Sequence, residues 1–209
     1  MHRSDAKLWR EAELDEKSSH DENKTFGPAT TLPAGFRALK ASFVYKIKRG
    51  GRYKVRVVIK GYQMVAGIDY NQTFAPVAKA TTIRLVLAKA ARLGLRIRQA
   101  DIKTAFLAAD MDTEVYVHLP AGFHDGEDCN PHDEPSKTVH RLLRGVPGIP
   151  QGSHLFNKRF REVLESLGFR RCPDDHCLYR IPDVLFYLVV YFDDVIYVYA
   201  PVLQERADQ

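Results

Sequence analysis

The stretch Val184-Leu185-Phe186-Tyr187-Leu188-Val189-Val190-Tyr191-Phe192-Asp193-Asp194-Val195-Ile196-Tyr197-Val198-Tyr199 decides how this chain folds. The run from Val184 to Phe192 is unbroken by any polar residue, the pattern of a strand covered on both faces. Val195–Tyr199 is a second β-branched and aromatic run, so the two read as a hairpin with Asp193-Asp194 at its tip. Ionised carboxylates are costly near a core unless paired or bound to a metal. The acidic pair is therefore either a turn facing solvent or a functional site, and the residues alone leave both open.

A further acid bears on the choice. Asp101 follows the strand-like Leu95–Ile97 and precedes Ile102-Lys103-Thr104-Ala105-Phe106-Leu107. If it reaches the same place, three carboxylates converge. Oxygen-rich clusters of that kind hold magnesium, and two such ions about 3.5–4 Å apart suit phosphoryl transfer.

Further out, Phe43, Tyr45 and Ile47 alternate before Arg49-Gly50-Gly51-Arg52, and Val55, Val57 and Ile59 alternate after it, which predicts a β-hairpin. Between Lys46 and Lys60 stand seven basic residues and no acid. Residues 61–80 read as a structured loop. Thr82 is a candidate cap for a helix over Ile83–Leu93 ended by Gly94. Strands are expected at 95–102 and Glu114–Leu119, a hydrophilic loop at 124–138, and a helix from Ser153 to Leu167 stopped by Gly168. Residues 1–30 are polar and predict at most a short helix around Trp9–Lys17.

Composition narrows the classes. Of 209 residues 45% are apolar, enough for a sizeable core and too many for a disordered chain. No run approaches the roughly 20 residues of a membrane span, so no membrane association is expected, and no secretory leader is legible. Three cysteines, Cys129, Cys172 and Cys177, make no disulfide framework and suggest a reducing compartment. Cys172, His176 and Cys177 lack the paired spacing of a zinc site. His118, His124, His132, His140 and His154 also show no ligand spacing. Residues 1–22 hold seven acids against four lysines and arginines, and the remainder carries a net +8. A basic body suits a polyanionic partner, with ordinary solubilising charge as the alternative.

These residues together resemble the reverse transcriptase domain of copia-type LTR retrotransposons, from about Trp9 to Tyr199. Trp9-Arg10-Glu11-Ala12 resembles its N-terminal helix; Phe43–Arg49 and Val55–Tyr62 resemble its fingers strands. Gly67-Ile68-Asp69-Tyr70, Thr73-Phe74-Ala75-Pro76-Val77 and Thr81-Thr82-Ile83-Arg84 form its most specific block. Asp101–Leu107 is similar to the first catalytic motif, and Tyr191-Phe192-Asp193-Asp194 to the second. Between them come Val115-Tyr116-Val117, Pro120-Ala121-Gly122-Phe123, Gly168-Phe169 and Asp175-His176-Cys177-Leu178-Tyr179.

The resemblance implies an α+β fold: right-hand polymerase fingers and palm, with an antiparallel palm sheet backed by helices. It implies a polar leader over 1–34, fingers over 35–80, palm over 81–199 and a truncated tail over 200–209, the thumb missing. It implies an RNA- or DNA-directed DNA polymerase. Asp101, Asp193, Asp194 and the Ile102 carbonyl would hold two magnesium ions, for which manganese could substitute. Lys60 and Arg56 would grip the triphosphate, their alternative being a solvated basic edge. Phe106 would be an aromatic gate against the ribose 2′-hydroxyl, and Gln151 would lie near the incoming nucleotide. The implied partners are a primed RNA or DNA template, dNTPs, and the RNase H and integrase domains of a polyprotein, which this chain lacks. The implied place is intracellular, in cytoplasmic particles or the nucleus. One segment departs from the family pattern. Arg144-Gly145-Val146-Pro147-Gly148-Ile149-Pro150-Gln151-Gly152 lacks the usual Tyr and Lys and instead carries the Pro-Gln-Gly of reverse transcriptases generally. The competing expectation is an inactive, truncated remnant acting at most as a basic nucleic-acid-binding module.

Overall fold

The computed structural model describes residues 5–123 and 138–203. Cys129, His124, His132 and nearly all of the expected hydrophilic loop lie outside the described residues, as does the tail beyond 203. The chain is α+β and forms two compact units, one of residues 1–73 and 106–156, the other of residues 74–105 and 157–209. Among the described residues no helix is long and apolar enough to cross a membrane.

The first unit contains α1 (Ala6–Glu22), β1 (Phe26–Thr31), β2 (Ala38–Ile47), β3 (Tyr53–Ile59), β5 (Tyr116–His118) and β6 (Thr138–Leu142). The strands form one sheet in the order β1-β6-β5-β2-β3. The β2–β3 hairpin is the one read from the alternation, with Phe43 opposite Val57 and Tyr45 opposite Val55. Val55, Val57 and Ile59 are buried as the period of two requires. Ile59 belongs to a core that also holds Leu39, Leu107, Val117, Leu142, Val146 and Ile149.

The N-terminal helix is longer than the short helix expected around Trp9–Lys17: its extension to Glu22 carries the buried His20, whose ring meets Phe26 and Phe123 with centroids at 5.2 and 5.9 Å, while the expected part is held by the hairpin. The Trp9 ring meets Tyr45 and Tyr53 edge-on, with centroids at 5.3 and 4.5 Å. The Tyr45 hydroxyl donates to Glu13 at 2.7 Å, and the Val57 N–H donates to Glu16 at 2.9 Å. β3 is the edge of its sheet, so Glu16 satisfies a strand N–H that would otherwise lack a partner. Strands β1 and β6 were not expected. β1 contains Pro28 and shows no alternation, and its pairing with β6 is set by residues more than 100 positions away.

The second unit contains α2 (Ala80–Leu93), β4 (Arg96–Asp101), β7 (Arg170–Arg171), β8 (Leu178–Arg180), β9 (Phe186–Tyr191) and β10 (Asp194–Tyr199). α3 (Gly152–Ser166) begins in the first unit and ends in the second. The sheet is antiparallel throughout, in the order β4-β10-β9-β8-β7. Val86 and Ala90 of α2 share a core with Val189 and Val198, whereas Leu164 of α3 shares one with Leu188, Val190 and Val195. Alternate residues of a strand point to opposite faces, so the two helices cover opposite faces of the sheet. That double cover explains why Val184–Phe192 carries no polar alternation.

Gly94 ends α2 in a left-handed conformation, as expected. The start of α2 differs. Thr82 lies inside the first turn and does not cap it; the helix begins at Ala80. The capping acceptor comes from a distant loop: Asp175 receives the Lys79 N–H at 3.1 Å, the Thr82 hydroxyl at 2.5 Å and the Cys177 N–H at 2.9 Å. Ser153 likewise does not begin α3, which already includes Gly152.

Candidate functional site

The two apolar runs of the second unit pair as β9 and β10 with Tyr191 opposite Asp194, so Phe192 and Asp193 form a two-residue turn. Phe192 has φ +56°, a left-handed value that a bulky side chain rarely adopts. A positive φ at the first turn position is the type II′ requirement, normally met by glycine. The tip of this hairpin therefore holds local strain.

β10 also pairs with β4, and in that register Asp194 stands directly opposite Asp101. Opposed residues of an antiparallel pair share a face, with Cβ atoms about 5 Å apart. The Ile102 N–H donates to the Asp193 carbonyl at 2.9 Å, fastening the exit of β4 to the hairpin tip. Gln99 Nε2 donates to Asp194 Oδ1 at 3.2 Å. Asp101 and Asp193 are exposed and Asp194 is half-buried. The second unit thus brings together Asp101, Ile102, Asp193 and Asp194 at one end of its sheet.

The first unit gathers the remaining candidates. Arg56 is exposed on the outward face of β3, and Lys60 is half-buried just beyond its end. Partial burial, then the neighbouring charges of Arg56 and Lys48, lower the Lys54 ammonium below its ordinary value. The Ile59 N–H donates to the Pro147 carbonyl at 3.1 Å. Gly148, at φ +97°, packs so closely on Ile59 and Val58 that no side chain fits there. This contact sets the 147–151 loop against the segment that carries Lys60.

Gln151 itself is fully buried. Its Nε2 donates to the Asp69 carbonyl at 3.3 Å, and its Oε1 has no partner among the described residues. Asp69, within the Gly67–Tyr70 motif, is a junction that the motif alone does not mark. Its carbonyl also receives the Thr113 hydroxyl at 2.7 Å, and its carboxylate receives the Val65 N–H at 2.6 Å and the Arg37 guanidinium. Phe106 is half-buried in a short 3-10 turn, its ring 6.5 Å from that of Phe156.

A family model for reverse transcriptase (RNA-dependent DNA polymerase) matches residues 23–202. The chain belongs to the reverse transcriptase family. It is 34% identical over 192 residues to the retrovirus-related Pol polyprotein from transposon TNT 1-94 of Nicotiana tabacum, covering 88% of this chain and 14% of that protein. It is 32% identical over 195 residues to the corresponding polyprotein of transposon RE2 of Arabidopsis thaliana, covering 90% of this chain and 13% of that one. This reverse transcriptase domain therefore spans about one seventh of the curated relatives it matches, and its resemblance to copia-type elements is borne out. A solved telomerase from Candida albicans, in complex with a fragment of telomeric RNA, superposes with a TM-score of 0.36 at 14% identity, covering 94% of this chain and 43% of that one.

Reverse transcriptases use a divalent metal. Among the described residues no three His, Cys, Asp or Glu side chains close into a ready-made metal-binding group. The donor set itself fits a hard cation, being oxygen only: three carboxylates and the Ile102 carbonyl. Like charges directly opposed on paired strands, as Asp101 and Asp194 are, repel one another, and a cation would relieve that repulsion.

Proposed function

We propose that this domain is an RNA- and DNA-directed DNA polymerase that extends a primer 3′-hydroxyl with deoxynucleotides. The observation that carries the reading is the strand register, which sets Asp101 opposite Asp194 with Asp193 on the adjoining turn. Asp101, Asp193, Asp194 and the Ile102 carbonyl would hold magnesium, or manganese in its place. The bound cations would supply charge stabilisation for the attacking oxygen and the departing pyrophosphate.

The chain's own residues do the rest of the work. The strained turn and the Ile102–Asp193 hydrogen bond hold the carboxylates on a rigid strand end, so little reorganisation accompanies reaction. Lys60 and Arg56 bind triphosphate oxygens by charge-assisted hydrogen bonds. Phe106 excludes a ribose 2′-hydroxyl by contact. Gln151, buried and anchored through Nε2 to the Asp69 carbonyl, would act near the incoming nucleotide by bracing the loop that carries it. The basic β2–β3 hairpin holds template–primer by its backbone charge. In this reading residues 35–80 serve as fingers and residues 81–199 as palm.

Primer extension on poly(rA)–oligo(dT) with magnesium or manganese tests the proposal. Extension should occur with the parent and vanish in the Asp193→Asn, Asp194→Asn double variant. Salt-sensitive binding without extension by the parent would instead support the inactive, nucleic-acid-binding reading.

A further inference from the structure

The loop that departs from the family pattern, Arg144–Gly152, contacts Phe106 at two places. At Gly145 an added Cβ would stand 2.8 Å from the Phe106 carbonyl oxygen. The surrounding backbone is fixed by the Gly145 N–H donating to Ala109 at 2.9 Å and the Ala109 N–H donating to Phe106 at 3.3 Å. At Gly152 an added Cβ would meet the Phe106 ring at 3.2 Å (Cδ1) and 3.4 Å (Cε1), with Ile149 Cγ1 also at 3.4 Å. Two glycines of one loop thus fit the backbone and the ring of a single aromatic residue.

Gly152 is not needed for its backbone freedom. It is the first residue of α3 and has no left-handed φ. Nothing in the backbone conformation at the start of α3 therefore requires glycine. What glycine provides is room for the ring. We infer that Gly152 is a specificity-determining residue: by leaving that space it seats the Phe106 ring and so sets how strongly the domain rejects ribonucleotides. The inference rests on the proposed role of Phe106 as the sugar gate and adds the residue that positions it.

A methyl group at 152 forces the ring to give way by a few tenths of an ångström. Discrimination is the ratio of kcat/KM for dTTP to that for ribothymidine triphosphate, read by primer extension on poly(rA)–oligo(dT). One methylene in a pocket changes such ratios by about tenfold or more. Gly152→Ala should therefore lower discrimination by about tenfold, with an unchanged or higher melting temperature. In a Phe106→Ala background the same substitution should change nothing, because no ring remains to be displaced.

The outcomes separate the two claims. Phe106→Ala retaining the parent's discrimination overturns the gate reading. Phe106→Ala losing discrimination while Gly152→Ala keeps it overturns the inference alone. An equal effect of Gly152→Ala in both backgrounds assigns it to helix packing and also overturns the inference. A parent that incorporates neither nucleotide overturns the polymerase reading, and the inference with it.

Discussion

Asp175 shows how one side chain fixes an element from a distance. Burial pushes its carboxyl up, but hydrogen bonds from the Thr82 hydroxyl and the Cys177 and Lys79 N–H groups, with the Lys79 charge, outweigh that and hold it below the ordinary value. A lowered carboxyl contributes stability at pH values above its unfolded pKa, and that contribution disappears as pH falls through the folded value. Asp175→Asn should therefore cost about 1–2 kcal/mol at pH 7. Urea denaturation of parent and variant should show the gap closing below about pH 4. An equal gap at both pH values would mean that the negative charge is not what holds α2. Asp175 also acts on its neighbour: burial, followed by this carboxylate, pushes the Cys177 thiol up to about 11, leaving it unreactive at neutral pH. That agrees with its place in the core beside Val86 and Val189 rather than in a metal site.

At the scale of the element, the β9–β10 hairpin combines a firmly specified ladder with a strained tip. Six residue pairs join β10 to β9 and six join it to β4, so the ladder can hold Phe192 at φ +56°. A side chain in the left-handed region costs about 1–2 kcal/mol, and glycine avoids most of it. Phe192 is 53% exposed, so little packing is lost with its ring. Phe192→Gly should raise stability by about 1 kcal/mol, seen as a higher melting temperature. A lower melting temperature would show that the ring's contact with Tyr191 outweighs the strain. α1 offers the contrasting case. Its sequence is weakly patterned; Trp9, Glu13 and Glu16 anchor it to the β2–β3 hairpin, and the buried His20 anchors its C-terminal turn against Phe26 and Phe123.

For the molecule as a whole, charge governs the expected dealings with nucleic acid. Lys48 and Arg52 flank the Gly-Gly turn within a hairpin stretch that carries no acid. Binding through phosphates weakens with salt at a slope of about 0.9 per phosphate neutralised on duplex DNA. Replacing both Lys48 and Arg52 by alanine should reduce that slope by about 2, measured by fluorescence anisotropy between about 50 and 200 mM salt. An unchanged slope would remove this hairpin from the nucleic-acid-binding surface.

The sequence by itself determined the local patterns. The β2–β3 and β9–β10 hairpins, the Gly94 and Gly168 helix stops, and the acidic pair at a strand turn follow from periodicity and glycine chemistry within a few residues. The order of the motifs determined the family. Tertiary structure decided whatever depends on partners far along the chain. It set Asp101 against Asp194, supplied the cap of α2 from Asp175, extended α1, and paired β1 with β6 and β5 with β2. It buried Gln151 against Asp69 and gave Gly152 its purpose, because a missing methyl group has meaning only once the Phe106 ring lies against it. Short-range order follows from sterics and period; long-range pairing follows from which surfaces exclude water together, and no local spacing records that.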